Sequence, residues 1–411
     1  MAESLGGPAT GSITWLLAEL AGRKNWRWPL QFAIVANFAV LGLFKYIDFG
    51  ATILAEVTGL EFAKASLVLP IGISFYTFEL VSYLVDRLRG TAPHYNLRVF
   101  GLFIALFPHL IAGPIMRHNE IIPQFAYDPL RPGLYERIGR GLILFFIGFV
   151  EKFFIADRLA SLVDPVFTSA QTGVPPLSEA VSGALAFSLQ ILFDFVAYSN
   201  MAMGIGLMLG LMLPVNFNVP YRALNLRDFW RRWHITLSRW IRDYIYIPLG
   251  GSREGTGHYI APTLITMGLC GLWHGAGWTF VLWGLGHGVG LLICRAWQLY
   301  GFKLPSFAAW AITLVYVVLL FVLFRAADLE TASRMFESLM GYGGWGELWP
   351  WPTVVPIVIA GALALINMPS YEIAMRMRPN WQAACVLVVV AVFCVLEVGE
   401  GQPLSFIYFQ F

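Results

Sequence analysis

Two histidines dominate the chemistry available to this chain. His274 stands in the middle of Ala261–Ile293, APTLITMGLCGLWHGAGWTFVLWGLGHGVGLLI, a stretch without Asp, Glu, Lys or Arg. An ionisable side chain in such a segment is costly in a bilayer and by default faces the protein interior or a wet cavity, which marks it as functional. A neutral imidazole is also the side chain best suited to take a proton near pH 7. His234 lies upstream, in the arginine- and tryptophan-rich block Phe229–Gly251, FWRRWHITLSRWIRDYIYIPLGG. Plainer readings compete: His274 as a polar group satisfied by a carbonyl in a helix bundle, His234 as an interfacial residue in a segment too polar to span. Small residues beside His274 and the aromatics Trp273, Trp278 and Trp283 point to a shaped cavity around it.

Other groups complete the inventory. Ser238 follows His234 by one helical turn, so a helix would permit a serine nucleophile activated by the imidazole; a surface serine on an amphipathic helix is the favoured reading. On a continuous helix His287 would lie ~140° around and ~20 Å along from His274. The two could share a reacting centre only if the helix breaks, so His287 is read as structural. Two histidines with no suitably spaced carboxylate do not make a metal site, and no metal is expected. Arg231, Arg232 and Arg239 belong to the densest basic cluster, with Arg222, Arg227 and Arg242. Guanidinium forks suit the phosphates of an anionic donor. The same charges serve positive-inside topology and contact with anionic lipid, and both readings can hold together.

The elements that must position these residues are membrane helices. The chain has 411 residues, 58% hydrophobic and 13% charged, against ~45–50% and ~25% in soluble domains. The net charge of +2 gives no sign of nucleic-acid binding. Apolar runs near 30–47, 66–85, 98–114, 138–156, 178–195, 197–213, 259–273, 276–294, 307–325, 354–371 and 382–398 are candidate spans, each needing about 20 residues. The expected fold is all-α: a polytopic transmembrane helical bundle of about 9–11 helices, some broken or re-entrant, in a single domain over 1–411. The basic cluster at 222–242 places that segment in the cytoplasm, and the acidic, tryptophan-rich stretch 326–352 outside. If Arg242 and Arg295 are both cytoplasmic, the chain between them enters and returns, turning or packing closely at Gly268, Gly271, Gly275 and Gly277. Cys270, Cys294, Cys385 and Cys394 read as free thiols, and the N-terminal sequence carries no cleaved-leader pattern.

The block FWRRWHITLSRWIRDYIYIPLGG followed by GLCGLWHGAGWTFVLWGLGHG resembles the signature of the membrane-bound O-acyltransferase family. It is most similar to the bacterial branch containing the alginate O-acetylation membrane subunit and, more distantly, the D-alanyl transfer protein of teichoic acids. LPIGISFYTFELVSYLVD (69–86), FPHLIAGPIMR (107–117), GFVEKFFIADRLA (148–160), FDFVAYSNMAMGIGLMLG (193–210), NFNVPYRALNLRDFWRRWH (216–234), LFRAADLETASRMFESLMG (323–341) and the ending SFIYFQF (405–411) extend the likeness. The pattern FDFSGYSD of relatives is altered here at Val196, Ala197 and Asn200.

The resemblance implies that His274 is the catalytic histidine, that His234 is the second signature position, often Asn in eukaryotic branches, and that a central tunnel admits the acyl donor from the cytoplasm. It implies a multi-pass protein of the bacterial inner membrane. Its reaction would be O-acetyl transfer from a thioester, acetyl-CoA foremost, with no bound cofactor. The acceptor would be a hydroxyl of an exported polysaccharide or a periplasmic acetyltransferase partner. Arg231, Arg232 and Arg239, with Trp233, Trp273 and Trp278, are the expected donor-binding residues. The alternatives are D-alanyl transfer from a carrier protein to teichoic acid, a non-catalytic scaffold of an export complex, and a proton-coupled transporter. The last would need intramembrane carboxylates, of which Asp194 is the best candidate.

Overall fold

The computed structural model describes residues 6–24, 26–60, 62–70, 72–109, 113–251, 259–301, 303–366, 368–378, 380–400 and 406–407. Among these the secondary structure is helical, with no strand. The chain forms two compact units: residues 1–138 with 205–214, and residues 139–204 with 215–411.

The first unit holds α1 (Gly6–Lys24), α2 (Trp28–Thr58), α3 (Ile73–Leu88), α4 (Leu97–Ile104) and the short α5 (His118–Ile121). Sequence signals set their ends. Pro29 occupies the first turn of α2, and Gly59 closes it in the left-handed conformation, φ 70°, donating to the Ala55 carbonyl, as glycine does at helix C-termini. The expected span at 66–85 is helical only from Ile73, because Pro70 lacks an N–H and Gly72 sits at φ 76°. The expected span at 98–114 stops at Ile104, followed by a 3₁₀ turn at Phe107–His109; residues 110–112 lie outside the described set.

The second unit carries most of α6 (Leu134–Val150), then α7 (Asp157–Ser169), most of α8 (Leu177–Met208), α9 (Leu226–Arg232), α10 (Ile235–Ile241) and α11 (Ile260–His274). It continues through α12 (Trp278–Tyr300), α13 (Ser306–Arg325), α14 (Leu329–Leu339), α15 (Trp351–Ala364), α16 (Ser370–Arg376) and α17 (Trp381–Glu400). Single π-helical turns at Glu151–Ala156 and Arg242–Tyr246 follow α6 and α10. The segments expected as two spans at 178–195 and 197–213 are one helix, α8. Its polar interruption Ser199–Asn200 is buried, and partners outside α8 satisfy it: Asn216 donates to Ser199 (3.2 Å), and Asn200 donates to Glu151 (2.7 Å).

By length and composition α2, α8, α12 and α13 can cross a membrane; α11, α15 and residues 381–396 of α17 are shorter apolar helices. The remaining expected spans fall on short or interrupted helices. The enter-and-return geometry is present: α11 ends at His274, three residues turn, and α12 starts at Trp278. Glycine makes this hairpin tight. A Cβ on Gly271 would stand 2.1 Å from the Phe280 carbonyl oxygen, and one on Gly284 2.2 Å from that of Met267, so the two backbones touch where side chains would separate them.

Candidate active site

His274 is the last residue of α11 and sits at the tip of the hairpin, 4% exposed. Three rings meet it edge-on: Trp273 at 4.8 Å between centroids, Trp283 of α12 at 5.1 Å and Phe324 of α13 at 5.3 Å. Trp273 also approaches the His234 ring, 6.3 Å between centroids. The two signature histidines therefore contact one indole.

His234 occupies the junction between α9 and α10, outside the candidate spans, with φ 42° and ψ 55°. A left-handed conformation is uncommon for a residue with a Cβ and costs ~1 kcal/mol or more. Neighbouring bonds hold it there. Asn225 caps α9 by accepting from the Asp228 N–H (2.9 Å), Trp233 N–H closes α9 onto Phe229 (2.8 Å), and Ile235 N–H donates to the Asn216 carbonyl (2.9 Å). The side chain is fully buried, edge-on to Phe195 at 4.6 Å. Burial pushes its pKa well below the usual histidine range, so the ring is neutral.

Asn216 fixes which nitrogen of His234 carries the proton. Its Oδ1 accepts from the Thr236 hydroxyl (2.9 Å) and the Thr236 N–H (3.3 Å), which identifies it as the carbonyl oxygen, and its Nδ2 donates to Ser199. His234 Nδ1, 3.1 Å from the same Oδ1, must then donate. Nε2 is left as an acceptor, buried and with no partner among the described residues. Sequence reading missed Asn216. The signal was present as a polar residue between Val215 and Phe217, but its partners Ser199, His234 and Thr236 are 17, 18 and 20 positions away in the chain.

Trp233 ends α9, next to His234 in the chain. It is 2% exposed, stacked on Phe229 at 5.5 Å and packed against Phe321 at 5.4 Å. Trp278 opens α12 and is 46% exposed. Arg231 is exposed; Arg239 is half-buried. Arg232 pairs with Asp228 one turn back, Nε to Oδ1 2.9 Å. Ser238 is not aligned with the His234 ring: its hydroxyl donates to the Trp233 carbonyl at 3.4 Å, while its N–H donates to the His234 carbonyl.

The helix break that would let His287 approach His274 is present. Trp283 contacts both imidazoles, 5.1 Å from His274 and 4.8 Å from His287. The continuous-helix distance from which His287 was read as remote therefore does not apply.

A cavity of ≈ 840 Å³ lies on the other side of Asn216. Its walls are largely apolar, from α6, α8 and α17, with Ser199, Asn200, Asn216 and Glu151 as polar points. Glu151 accepts from Asn200 (2.7 Å) and Ser370 (2.6 Å). Asp194 is bound to Lys152 Nζ at 2.7 Å and accepts from the Ile407 N–H at 2.9 Å. It thus anchors the one part of the SFIYFQF ending, Phe406–Ile407, that is described; the rest of that ending lies outside the described residues.

Residues 88–329 match the profile of MBOAT, the membrane-bound O-acyltransferase family. The chain belongs to that family and is a multi-pass membrane protein. It is similar to the probable alginate O-acetylase AlgI of Pseudomonas aeruginosa, 44% identical over 329 residues, 79% of this chain and 62% of that protein. It is 39% identical to the peptidoglycan O-acetyltransferase of Helicobacter pylori over 344 residues, 77% of this chain and 65% of the relative. A teichoic acid D-alanyltransferase of Streptococcus thermophilus is 28% identical over 244 residues, 56% of this chain and 58% of the relative. The chain thus spans less than two thirds of the length of each of these relatives.

Proposed function

We propose that the protein transfers an acetyl group from a cytoplasmic thioester, acetyl-CoA foremost, to a hydroxyl of an exported polysaccharide or to a periplasmic partner that acetylates it. The carrying observation is that His274, buried at the hairpin tip, and His234 share contact with the Trp273 indole. His274 takes the proton of the attacking hydroxyl, a role that typically contributes ~10²–10⁴-fold. His234, neutral and with Nε2 as an acceptor, receives a hydrogen bond from the substrate and orients it. The aromatic shell keeps water out and strengthens each polar contact. Arg231, Arg232 and Arg239 receive the donor phosphates at the cytoplasmic face of the bacterial inner membrane, and the pantetheine arm reaches the histidines through a tunnel. The names of the Pseudomonas and Helicobacter relatives, both O-acetyl transferring, support acetyl over D-alanyl.

His274→Ala tests this reading. The variant inserts and purifies as wild type but transfers no labelled acetyl from acetyl-CoA in membrane vesicles, and surface glycans of cells carrying it lose acetyl on mass analysis. Activity within about twofold of wild type would remove His274 from the chemistry, since a general base contributes at least ~10²-fold. A D-alanyl mass increment in place of acetyl would reassign the acyl group.

A further inference from the structure

His287 and Trp283 leave two buried nitrogens, His287 Nε2 and Trp283 Nε1, with no hydrogen-bond partner among the described residues. Trp230 settles the character of the first. An indole nitrogen only donates, and Trp230 Nε1 lies 3.3 Å from His287 Nδ1. Nδ1 is the acceptor, so the neutral ring carries its proton on Nε2. Phe229, stacked at 6.0 Å, and the edges of Trp230 at 5.1 Å and Trp283 at 4.8 Å hold the ring in place. Trp283 Nε1 is likewise a donor by its chemistry. A buried donor without an acceptor is costly, and folded proteins leave few. Here two occur one turn apart on α12, on residues 0% and 1% exposed, with Trp283 packed against His274.

We propose that His287 Nε2–H, with Trp283 Nε1–H beside it, donates to the thioester carbonyl oxygen as that oxygen takes up negative charge. The inference rests on acyl transfer at His274. In that step the hydroxyl oxygen bonds to the carbonyl carbon, its proton passes to His274, and the carbonyl π pair moves onto oxygen. Collapse re-forms the C=O bond and breaks the C–S bond, and the departing sulfur takes the proton from His274. Nothing is oxidised or reduced. The surroundings of His234 and His287 fix opposite tautomers: Nε2 of His234 is an acceptor, and Nε2 of His287 is a donor. Two donors aimed at the developing oxyanion in a dry site act where such contacts are strongest. Trp230 is a positioning residue, since among the described residues it sets the His287 tautomer.

Labelled acetyl transfer from acetyl-CoA in membrane vesicles, with thermal unfolding of the purified protein in detergent, tests the inference. His287→Phe keeps the ring packing and removes the donor; kcat falls ~10²–10³-fold while KM for acetyl-CoA stays within about threefold. His287→Gln, whose amide supplies an N–H, recovers at least about tenfold of that loss. The double variant Trp230→Phe/His287→Phe removes the orphaned donor together with the indole that bonds the ring. Its unfolding midpoint is therefore at or above wild type although kcat stays low. A purely structural role predicts the reverse, a lowered midpoint with turnover that tracks the folded fraction. If His287→Phe does not accumulate, His287→Gln is compared with His287→Leu, and equal kcat overturns the proposal. Wild-type kcat in His287→Phe with an inactive His274→Ala sinks this inference alone; an active His274→Ala sinks the acyl-transfer reading beneath it.

Discussion

Gly271→Ala sets two effects of opposite sign against each other in the α11–α12 hairpin. In an isolated helix alanine is favoured over glycine by ~1 kcal/mol. In the hairpin, the new Cβ would lie 2.1 Å from the Phe280 carbonyl oxygen, 3.0 Å from its carbon and 3.1 Å from the Gly284 nitrogen, where ordinary contact begins at 3.4 Å. All three atoms are backbone, so no rotamer change relieves the clash and the helices must part by about an ångström. Overpacking of this kind costs ~1–3 kcal/mol, and a backbone clash belongs at the upper end, which leaves a net loss of ~1–2 kcal/mol after the propensity gain. The effect on chemistry is larger. Gly271 lies one turn before His274, and ~1 Å of misplacement can cost ~10²-fold in rate. The assay is the unfolding midpoint in detergent together with acetyl transfer in vesicles. Gly277→Ala is the control: its Cβ would meet nothing closer than 3.7 Å and its backbone is extended, so both readings stay near wild type. A Gly271→Ala protein more stable than wild type, with normal turnover, would refute backbone contact across the hairpin.

Replacing Arg231, Arg232 and Arg239 together by Gln raises the KM for acetyl-CoA by about tenfold or more, if each lost phosphate contact is worth ~0.5 kcal/mol or more. The unfolding midpoint barely moves, because the half-exposed Arg232–Asp228 pair contributes little, and salt weakens wild-type donor binding too; an unchanged KM would leave these arginines to topology. Ser238→Ala turns over within about twofold of wild type, since its hydroxyl is engaged by the Trp233 carbonyl in a bond worth ~1 kcal/mol. Acetyl label that survives denaturation and maps to Ser238 would establish a covalent route instead. Asp328→Ala removes the cap of α14, whose carboxylate accepts from the Thr331 N–H at 2.7 Å, and lowers stability by ~1 kcal/mol. That hydrogen bond holds the Asp328 carboxyl below the usual range. Its contribution is therefore complete above the unfolded value near ~4 and fades as pH falls through the lower folded one; a cap effect that persists at pH 2 would contradict this.

Local chemistry was readable from the chain; partnerships across it were not. The glycines around His274 announced the hairpin because a tight turn and touching backbones both demand them. Pro70 and Gly72 announced the break in the expected span at 66–85, where α3 begins only at Ile73, and Pro108 sits in the 3₁₀ turn after α4 that interrupts the one at 98–114. The break expected at residue 196, between the runs 178–195 and 197–213, failed for a different reason: Ser199 and Asn200 just beyond it do not interrupt α8. Polar residues end a span only when they lack partners, and Asn216 and Glu151 supply them from outside α8. The distance that sets His287 apart assumes one straight helix, although two of the four glycines that argue for a turn, Gly275 and Gly277, lie between it and His274. Asn216 and Trp230, which fix two imidazole tautomers, have no periodicity to betray them. Their roles exist only once α9, α12 and the 215–219 segment are packed.

The left-handed backbone at position 234 acts as a filter on evolution. A residue there must tolerate φ 42°, which disfavours the β-branched and bulky apolar side chains and leaves Gly, Asn, Asp and His as the comfortable choices. Glycine would relax the strain and abolish the chemistry, and a buried aspartate would bring an unpaired charge. Histidine and asparagine are the two that combine a tolerable backbone with a neutral side chain able to accept a hydrogen bond. An exchange of histidine for asparagine at this position would thus need no change of mechanism. It is the narrow vocabulary that one strained peptide unit permits.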